Sequence, residues 1–546
     1  MYKGAPPRPL TCPLGKGNVE DLTWALSLSQ SSIASEPQAG HRQSIFRRFS
    51  LTGFSLYGFS SYRARPHLLI GCLAVVAGLP RVIGALTLIN PDPDAYEYIE
   101  AVARMRAHLT GGGFSVKDLA GFWLPMYQFI CACISVPFNH PVYVTKLVSL
   151  LCGTASCILV YLLTDRLTGR RSLAVAAFAL VALNPLHIMY SAYSMTEAPF
   201  AFLILTSLYM AANDRWAAAA VAATAAGFIR VDAWILIPII PALEYAARRR
   251  ISLAACFTLA AAPIICLYIY WAATGDPFQY FHARAAYVRD TIAAQPELAQ
   301  FSVLRIATDA RRFFYSANPA IVIACFIAVY IAISCWQARR PKSGSPHLFP
   351  IAAACAFFFS FLAFIVLAYV TNAQPQIWVR YGLIFLVLGA PISAWGISKL
   401  RADYRRKAIV VGAAACLAVF SVQLVDAVAY ARATPLQLPI MQRIRIELEE
   451  TPGGLIFCDD PETRVLSNLP PDTFITSSDL LPAQALSLAE VKERHVRLIV
   501  LAKRSAPAGF GLLAELKQGL GAPSLQEITH EGPDSGGTEL WLFRVN

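Results

Sequence analysis

In the stretch Asn90 to Leu109, NPDPDAYEYIEAVARMRAHL, three carboxylates, Asp92, Asp94 and Glu97, fall within six residues, directly after an apolar run long enough to leave a bilayer. A carboxylate within hydrogen-bond reach of a hydroxyl can take its proton as the oxygen attacks an electrophile. Farther along stand Arg230 with Asp232, Arg380 and a second acid, Glu197, all at the ends of apolar runs, with His187 near another end and Arg81 inside the first run. A guanidinium fork matches phosphate oxygens, and cations facing a departing phosphate stabilise its charge. Acids and guanidinium groups at one membrane face therefore fit a displacement in which phosphate leaves and a hydroxyl attacks. The acids also have a local use. Asp94 and Glu97 have the spacing of a capping box, and Ala95, Ile99, Val102 and Leu109 recur at helical intervals until Gly111, Gly112 and Gly113.

These residues have to be positioned by a membrane scaffold. The chain has 546 residues, of which 56% are hydrophobic and 15% charged, against about 25% charged in soluble domains. Apolar runs of bilayer-crossing length, about 17 to 25 residues, recur from Pro66 to Asp426 and then cease. Spans are expected at about 66–89, 141–163, 172–188, 198–213, 217–230, 232–247, 252–272, 317–336, 348–370, 381–398 and 407–427. The segment 121–138 is expected to be re-entrant or to lie along the membrane face. The formal charge of +12 does not indicate nucleic acid, because Lys and Arg gather in short links such as Arg166/Arg170/Arg171, Arg248/Arg249/Arg250 and Arg401/Arg405/Arg406/Lys407. That is the positive-inside pattern. It puts the N-terminus in the cytoplasm and the acidic stretch, with the C-terminal region, outside.

The expected fold is an all-α polytopic membrane domain of about eleven transmembrane helices, with a small α/β soluble domain at its C-terminal end. Residues 1–65 mix Pro, Gly, Ser and Arg and read as a cytoplasmic arm without fixed structure. Residues 66–427 form the membrane domain, and residues 428–546 the extracytoplasmic domain. In the latter GGLIFCD, VRLIVLA and ELWLFRV read as strands, and 437–449 and 509–518 as helices. One long outer loop, 273–316, is expected to be helical over Tyr280 to Ala294. Most of the thirteen cysteines lie in apolar runs and imply no disulfide framework. Cys131 and Cys133 form a C-x-C without a second pair.

The order of motifs carries a resemblance. After the first span come D-A-Y-E-Y-I-E-A, W-L-P-M-Y-Q, L-T-G-R-R, N-P-L-H-I-M-Y-S-A-Y-S-M-T-E-A-P-F, G-F-I-R-V-D-A-W and V-R-Y-G-L. Over about residues 66–427 this order resembles the GT-C glycosyltransferases, and within them the protein O-mannosyltransferase and aminoarabinose transferase branch, which uses polyprenyl-phosphate sugars. The resemblance implies an extracytoplasmic transfer of sugar from a polyprenyl-phosphate donor to a lipid, glycan or protein acceptor, by inverting displacement among membrane lipids. It implies Asp94 as the catalytic acid, with Asp92 and Glu97 as alternatives, since D-A-Y-E replaces an adjacent Asp-Glu pair. Trp123 and Tyr127 match the loop lining the donor cleft. Arg230, Arg380 and Tyr381 resemble phosphate-side residues, and Arg81 an arginine common in the first span. His187 and Glu197 match the outer span ends, where a second acid helps to bind the acceptor or a metal. A divalent cation is left open. The alternative expectation is a transporter or lipid flippase, which calls for self-similar halves; the sequence shows none.

Overall fold

The computed structural model describes residues 66–545 except 89, 91–92, 295–301, 339–348, 372, 374–376, 433–436, 451–452, 459, 468, 470–472, 476–493, 504–524 and 533–538. Eighteen α-helices follow in order among the described residues: α1 Pro66–Thr87, α2 Pro93–Gly111, α3 Met126–Phe138, α4 Pro141–Thr168, α5 Arg171–Ala182, α6 Pro185–Ala192, α7 Glu197–Ala212, α8 Trp216–Gly227, α9 Leu236–Arg248, α10 Leu253–Thr274, α11 Gln279–Ala294, α12 Val303–Ala317, α13 Pro319–Ala338, α14 Phe349–Val370, α15 Gly382–Lys399, α16 Ala402–Arg432, α17 Gln437–Glu450 and α18 Pro461–Leu466. Five strands close the chain: β1 Leu455–Cys458, β2 Phe474–Ile475, β3 Val496–Lys503, β4 Leu525–Glu531 and β5 Glu539–Val545.

The architecture is that of a helical membrane protein with a small terminal sheet. Six helices among the described residues are long and apolar enough to cross a membrane, or eight if each sharply bent pair makes one span. The expected count was eleven, and the difference has a cause. Hydropathy registers apolar residues whether or not the helix that holds them runs straight. Two breaks occur at Asn-Pro dipeptides: α5 and α6 meet at 60° around Asn184-Pro185, and α12 and α13 at 84° around Asn318-Pro319. At the first, the Asn184 side chain accepts from the His187 amide at 2.8 Å and Pro185 opens α6, an N-cap followed by proline at the first helical position. At the second, Asn318 takes a left-handed φ of 66°, a region where asparagine is tolerated. The expected span 172–188 is therefore two helices. Others of the expected set, α7, α8 and α9, have 16, 12 and 13 residues, and the last is preceded by a 3-10 turn over Val231–Ile235.

Helix α15 is the hub. Every residue from Gly382 to Gly396 is buried, as expected of a helix that is apolar on all sides. Gly389 and Gly396 let α13 approach it: a methyl group on either would fall 2.5 Å from Ile321 Cγ2 or 2.8 Å from Ala328 Cβ. Small residues at such crossings let backbones come close.

The sheet runs in the order β2-β1-β3-β5-β4, with β1 parallel to β2 and β3, and β5 antiparallel to β3 and β4. Period-two alternation buries both faces. Phe457, Ile499, Trp541 and Phe543 form one core; Ile456, Leu498, Val500 and Leu542 form the other with Ile440 and Ile444 of α17. The expected helix 509–518 lies outside the described residues.

Candidate active site

Helix α2 begins at Pro93, so Asp94 lies in its first turn. Ala95, Tyr98, Val102 and Met105 turn inward against Tyr127, Cys131 and Ala132 of α3 and against Tyr193 and Met195. That packing holds Asp94 and Glu97 toward open space.

From Asp94 a row of alternating charges runs through four more side chains. Asp94 Oδ2 meets Arg380 at 2.5 Å, Arg380 Nε lies 3.7 Å from Glu197 Oε1, and Glu197 Oε1 accepts from Arg230 at 3.3 Å. Arg230 in turn donates twice to Asp232 Oδ2, at 2.9 and 2.7 Å. Four separate segments supply these groups. Arg380 stands in the 3-10 turn Val379–Tyr381 that opens α15, Glu197 is the first residue of α7, and Arg230 and Asp232 flank Val231, where the 3-10 turn after α8 begins. Arg230 is sandwiched between the rings of Phe200 and Tyr381, 5.5 and 5.4 Å from their centroids, a geometry that favours a cation over an aromatic face. The Glu197 and Arg380 side chains are only 6% and 11% exposed. Desolvating such groups costs several kcal/mol each, so the row is a poor device for stability and marks function. Glu197 Oε2 is buried with no hydrogen-bond donor among the described residues.

Two cavities flank the row. The first, of about 500 Å³, is lined by Arg230, Asp232, Tyr280, Arg284, Arg289 and apolar side chains of α11 and α14. The second, of about 760 Å³, holds Asp94, Glu97, Arg380, Arg284 and Asp426 among the aromatics Phe122, Trp123, Tyr190, Tyr193, Tyr287, Tyr315 and Trp378. Trp123 and Arg284 border both, with the guanidinium 5.9 Å from the indole centroid. Glu97 opens to the second cavity and accepts a long hydrogen bond from Trp123 Nε1 at 3.4 Å. Although water reaches it, the protein surrounding it pushes its pKa up to about 7, chiefly by desolvation and then by the charge of Asp94.

The structure thus brings Asp94, Glu97, Trp123, Glu197, Arg230, Arg380 and Tyr381 together, with Arg230 and Trp123 bordering the first chamber, Asp94, Glu97, Trp123 and Arg380 the second, and Glu197 and Tyr381 the narrow gap that Arg230 and Arg380 also line. Asp92 lies outside the described residues. Three expected members are placed elsewhere. Arg81 is fully buried and donates to Ala77 O at 2.6 Å, Ala182 O at 3.1 Å, Cys157 Sγ at 3.3 Å and His187 Nδ1 at 2.6 Å. Because arginine has no acceptor, Nδ1 of His187 is the unprotonated nitrogen. Ala182 ends α5, so Arg81 and His187 hold the α5–α6 break, where a cation also suits the carbonyl end of a helix. The kink carries His187 inward instead of leaving it at an outer span end. Tyr127 is buried too, donating to Thr145 O at 3.1 Å and standing edge-on to Tyr98, so it supports the site from behind.

Sequence reasoning did not single out Arg284, Tyr98, Asp426 or Tyr315. Arg284 sits on α11, and only the helical periodicity of the outer loop pointed to it. Asp426 belongs to the apolar helix α16, where an acid is a signal in itself; Tyr315 donates to it at 2.6 Å.

Residues 112–226, from the end of α2 to α8, match the family model of the dolichyl-phosphate-mannose-protein mannosyltransferases. The matched stretch contains Trp123, Tyr127, His187 and Glu197 but not Asp94, Arg230 or Arg380. No curated protein sequence matches the chain. In fold, the chain is similar to ArnT from Cupriavidus metallidurans. The crystal structure of ArnT bound to undecaprenyl phosphate matches with a TM-score of 0.51 at 12% identity, over 87% of this chain and 97% of that one. The apo structure matches with a TM-score of 0.50 at 12% identity, over 87% and 98%. The match in sequence thus covers one stretch, residues 112–226, and the likeness to ArnT is one of fold over 87% of the chain.

Proposed function

We propose that the protein transfers a sugar from a polyprenyl-phosphate donor to a hydroxyl of a lipid, glycan or protein acceptor on the extracytoplasmic face, by one inverting displacement. The observation that supports this best is the row Asp94–Arg380–Glu197–Arg230–Asp232 lying between two cavities. In this proposal the largely apolar chamber beside Arg230 and Arg284 takes the lipid phosphate, and the aromatic chamber with Asp94 takes the acceptor. A phosphate that reaches from the apolar chamber into the narrow gap lined by both Arg230 and Arg380 competes with Asp94 for Arg380. As Arg380 turns to the phosphate, Asp94 is released to accept the proton of the attacking hydroxyl. The new bond forms at the anomeric carbon, the bond to the phosphate oxygen breaks, and Arg380 and Arg230 hold the charge that develops there. The binding of undecaprenyl phosphate by ArnT, a protein of the same fold, supports a polyprenyl carrier.

Among the described residues the side chains do not gather into a set of three or more His, Cys, Asp or Glu that would hold a divalent ion. Asp94 and Glu197 face guanidinium groups, and His187 faces Arg81. The proposed step therefore runs through this chain's own residues.

The proposal keeps residues 66–427 as the membrane catalytic domain and 428–546 as an extracytoplasmic domain, with the N-terminus cytoplasmic. Its test is mass spectrometry of envelope glycans and lipid-linked sugars in cells with the gene, without it, and with Asp94→Asn. Accumulation of one lipid-linked sugar, with loss of its acceptor-bound form, is expected in the last two. Unchanged profiles in all three would sink it.

A further inference from the structure

The C-terminal domain touches the site's own helix through one well-built contact. Arg464 of α18 meets Glu100 of α2 with two parallel hydrogen bonds, Nε to Oε1 and Nη2 to Oε2, the latter at 2.5 Å, while Nη1 donates to Cys458 O at 2.5 Å. Such fork-to-carboxylate pairing adds geometric definition as well as energy. Both partners are largely withdrawn from water, with side chains 11% and 28% exposed. Hydrogen bonds hold both ends of α18. Buried Asp460 caps α18 by accepting from the Thr463 amide at 2.8 Å and the Thr463 hydroxyl at 2.6 Å, and Pro461 opens the helix. Arg445 of α17 ties the far end by donating to Ser467 O at 3.3 Å. On α2, Glu100 follows Glu97 by three residues, so the two are neighbours on one helix face.

We propose that Arg464 is a positioning residue: by clasping Glu100 it makes docking of the C-terminal domain part of the alignment of α2, and with it of Asp94 and Glu97. This rests on the function proposed above only for what the alignment serves. The contact is also electrical. Arg464 favours the ionised form of Glu97 and Glu100 opposes it. The remaining charged or titratable groups that face this space are Asp94 on α2, Tyr190 on α6 and Tyr193 just after it, Arg284 and Tyr287 on α11, Arg380 before α15, Tyr315 on α12 and Asp426 on α16, and the variants below leave all of them in place.

Full-length protein in detergent, followed by pH-difference infrared spectroscopy from about pH 5 to about 9, isolates the Glu97 carboxyl as the band missing in Glu97→Gln. Its midpoint is expected at about 7 in the parent protein. Arg464→Gln removes a cation and strips Glu100 of its partner, so the midpoint rises. Glu100→Gln removes an anion and lowers it. The exchanged pair Arg464→Glu with Glu100→Arg keeps the contact and restores transfer, which the single variants lose by about tenfold through kcat. A general loosening of the fold would move both single variants the same way. Midpoints that stay put, or move together, overturn the inference, as does an exchanged pair no better than either single variant. Opposite shifts in a protein without transfer activity would sink the proposed reaction and leave the electrical coupling standing.

Discussion

Arg380 and Arg81 are both arginines withdrawn from water, yet their surroundings have little in common. Arg380 stands between two carboxylates, Asp94 and Glu197, and borders a cavity. Arg81 meets carbonyls, a thiol and an imidazole where two helices break. Carboxylates beside a cavity can exchange their cation for a substrate's phosphate, whereas carbonyls at a helix end have nothing to exchange. The first setting suits chemistry and the second architecture, and the residue type alone does not tell them apart.

The sharpest way to break this contrast is at the proposed base. Asp94→Asn is expected to lower transfer by about 10²–10⁴-fold with the melting temperature held, measured as turnover of a lipid-linked sugar in purified protein. Retention of parental turnover would move the base to Asp92 or Glu97. Arg380→Gln is expected to cost about 10²–10³-fold in kcat, by analogy with loss of one preorganised donor. Arg380→Lys should recover only part, because the ammonium cannot serve Asp94 and Glu197 with one planar fork. For Arg81→Met the expectation reverses: folding stability falls by about 1–3 kcal/mol as the Ala77 and Ala182 carbonyls lose their donor, while the fraction that folds still turns over. A well-folded but inactive Arg81→Met protein would erase the contrast.

The smallest expected effect is a pH slope in stability. The Glu97 carboxyl ordinarily titrates near 4.5 and in the fold is raised to about 7. Between these values the folded state binds more protons than the unfolded one, so stability declines as pH rises through the window and levels off above about 7. Glu97→Gln should flatten that part of a melting-temperature profile. An identical slope in the variant would mean that Glu97 is better hydrated than its surroundings imply.

Much of the scaffold was legible from residue patterns. Helical periodicity located α11 and α17, alternation located β1, β3 and β5, and the acids before Tyr96 and Tyr98 marked the helix that carries the site. What escaped the sequence has physical causes. Hydropathy cannot see a bend, so Asn184-Pro185 passed unnoticed and His187 was expected at an outer end. The price of burying a charge is visible in a sequence, but its partner is not. Asp94 and Arg380 are 286 positions apart, and nothing near either distinguishes that pair from Arg81 with His187. Asp426 was hidden by the apolar length of α16, and the role of Arg464 by its place in a domain whose motifs carry no chemistry of their own.

The wall shared by the two chambers is made in part by the indole of Trp123 and the guanidinium of Arg284. If donor and acceptor occupy separate chambers, as proposed, both can be bound at once, and no sugar has to be parked on the protein between arrivals. Steady-state plots for two varied substrates would then intersect instead of running parallel. A molecule wedged into one chamber would slow turnover without competing for the other.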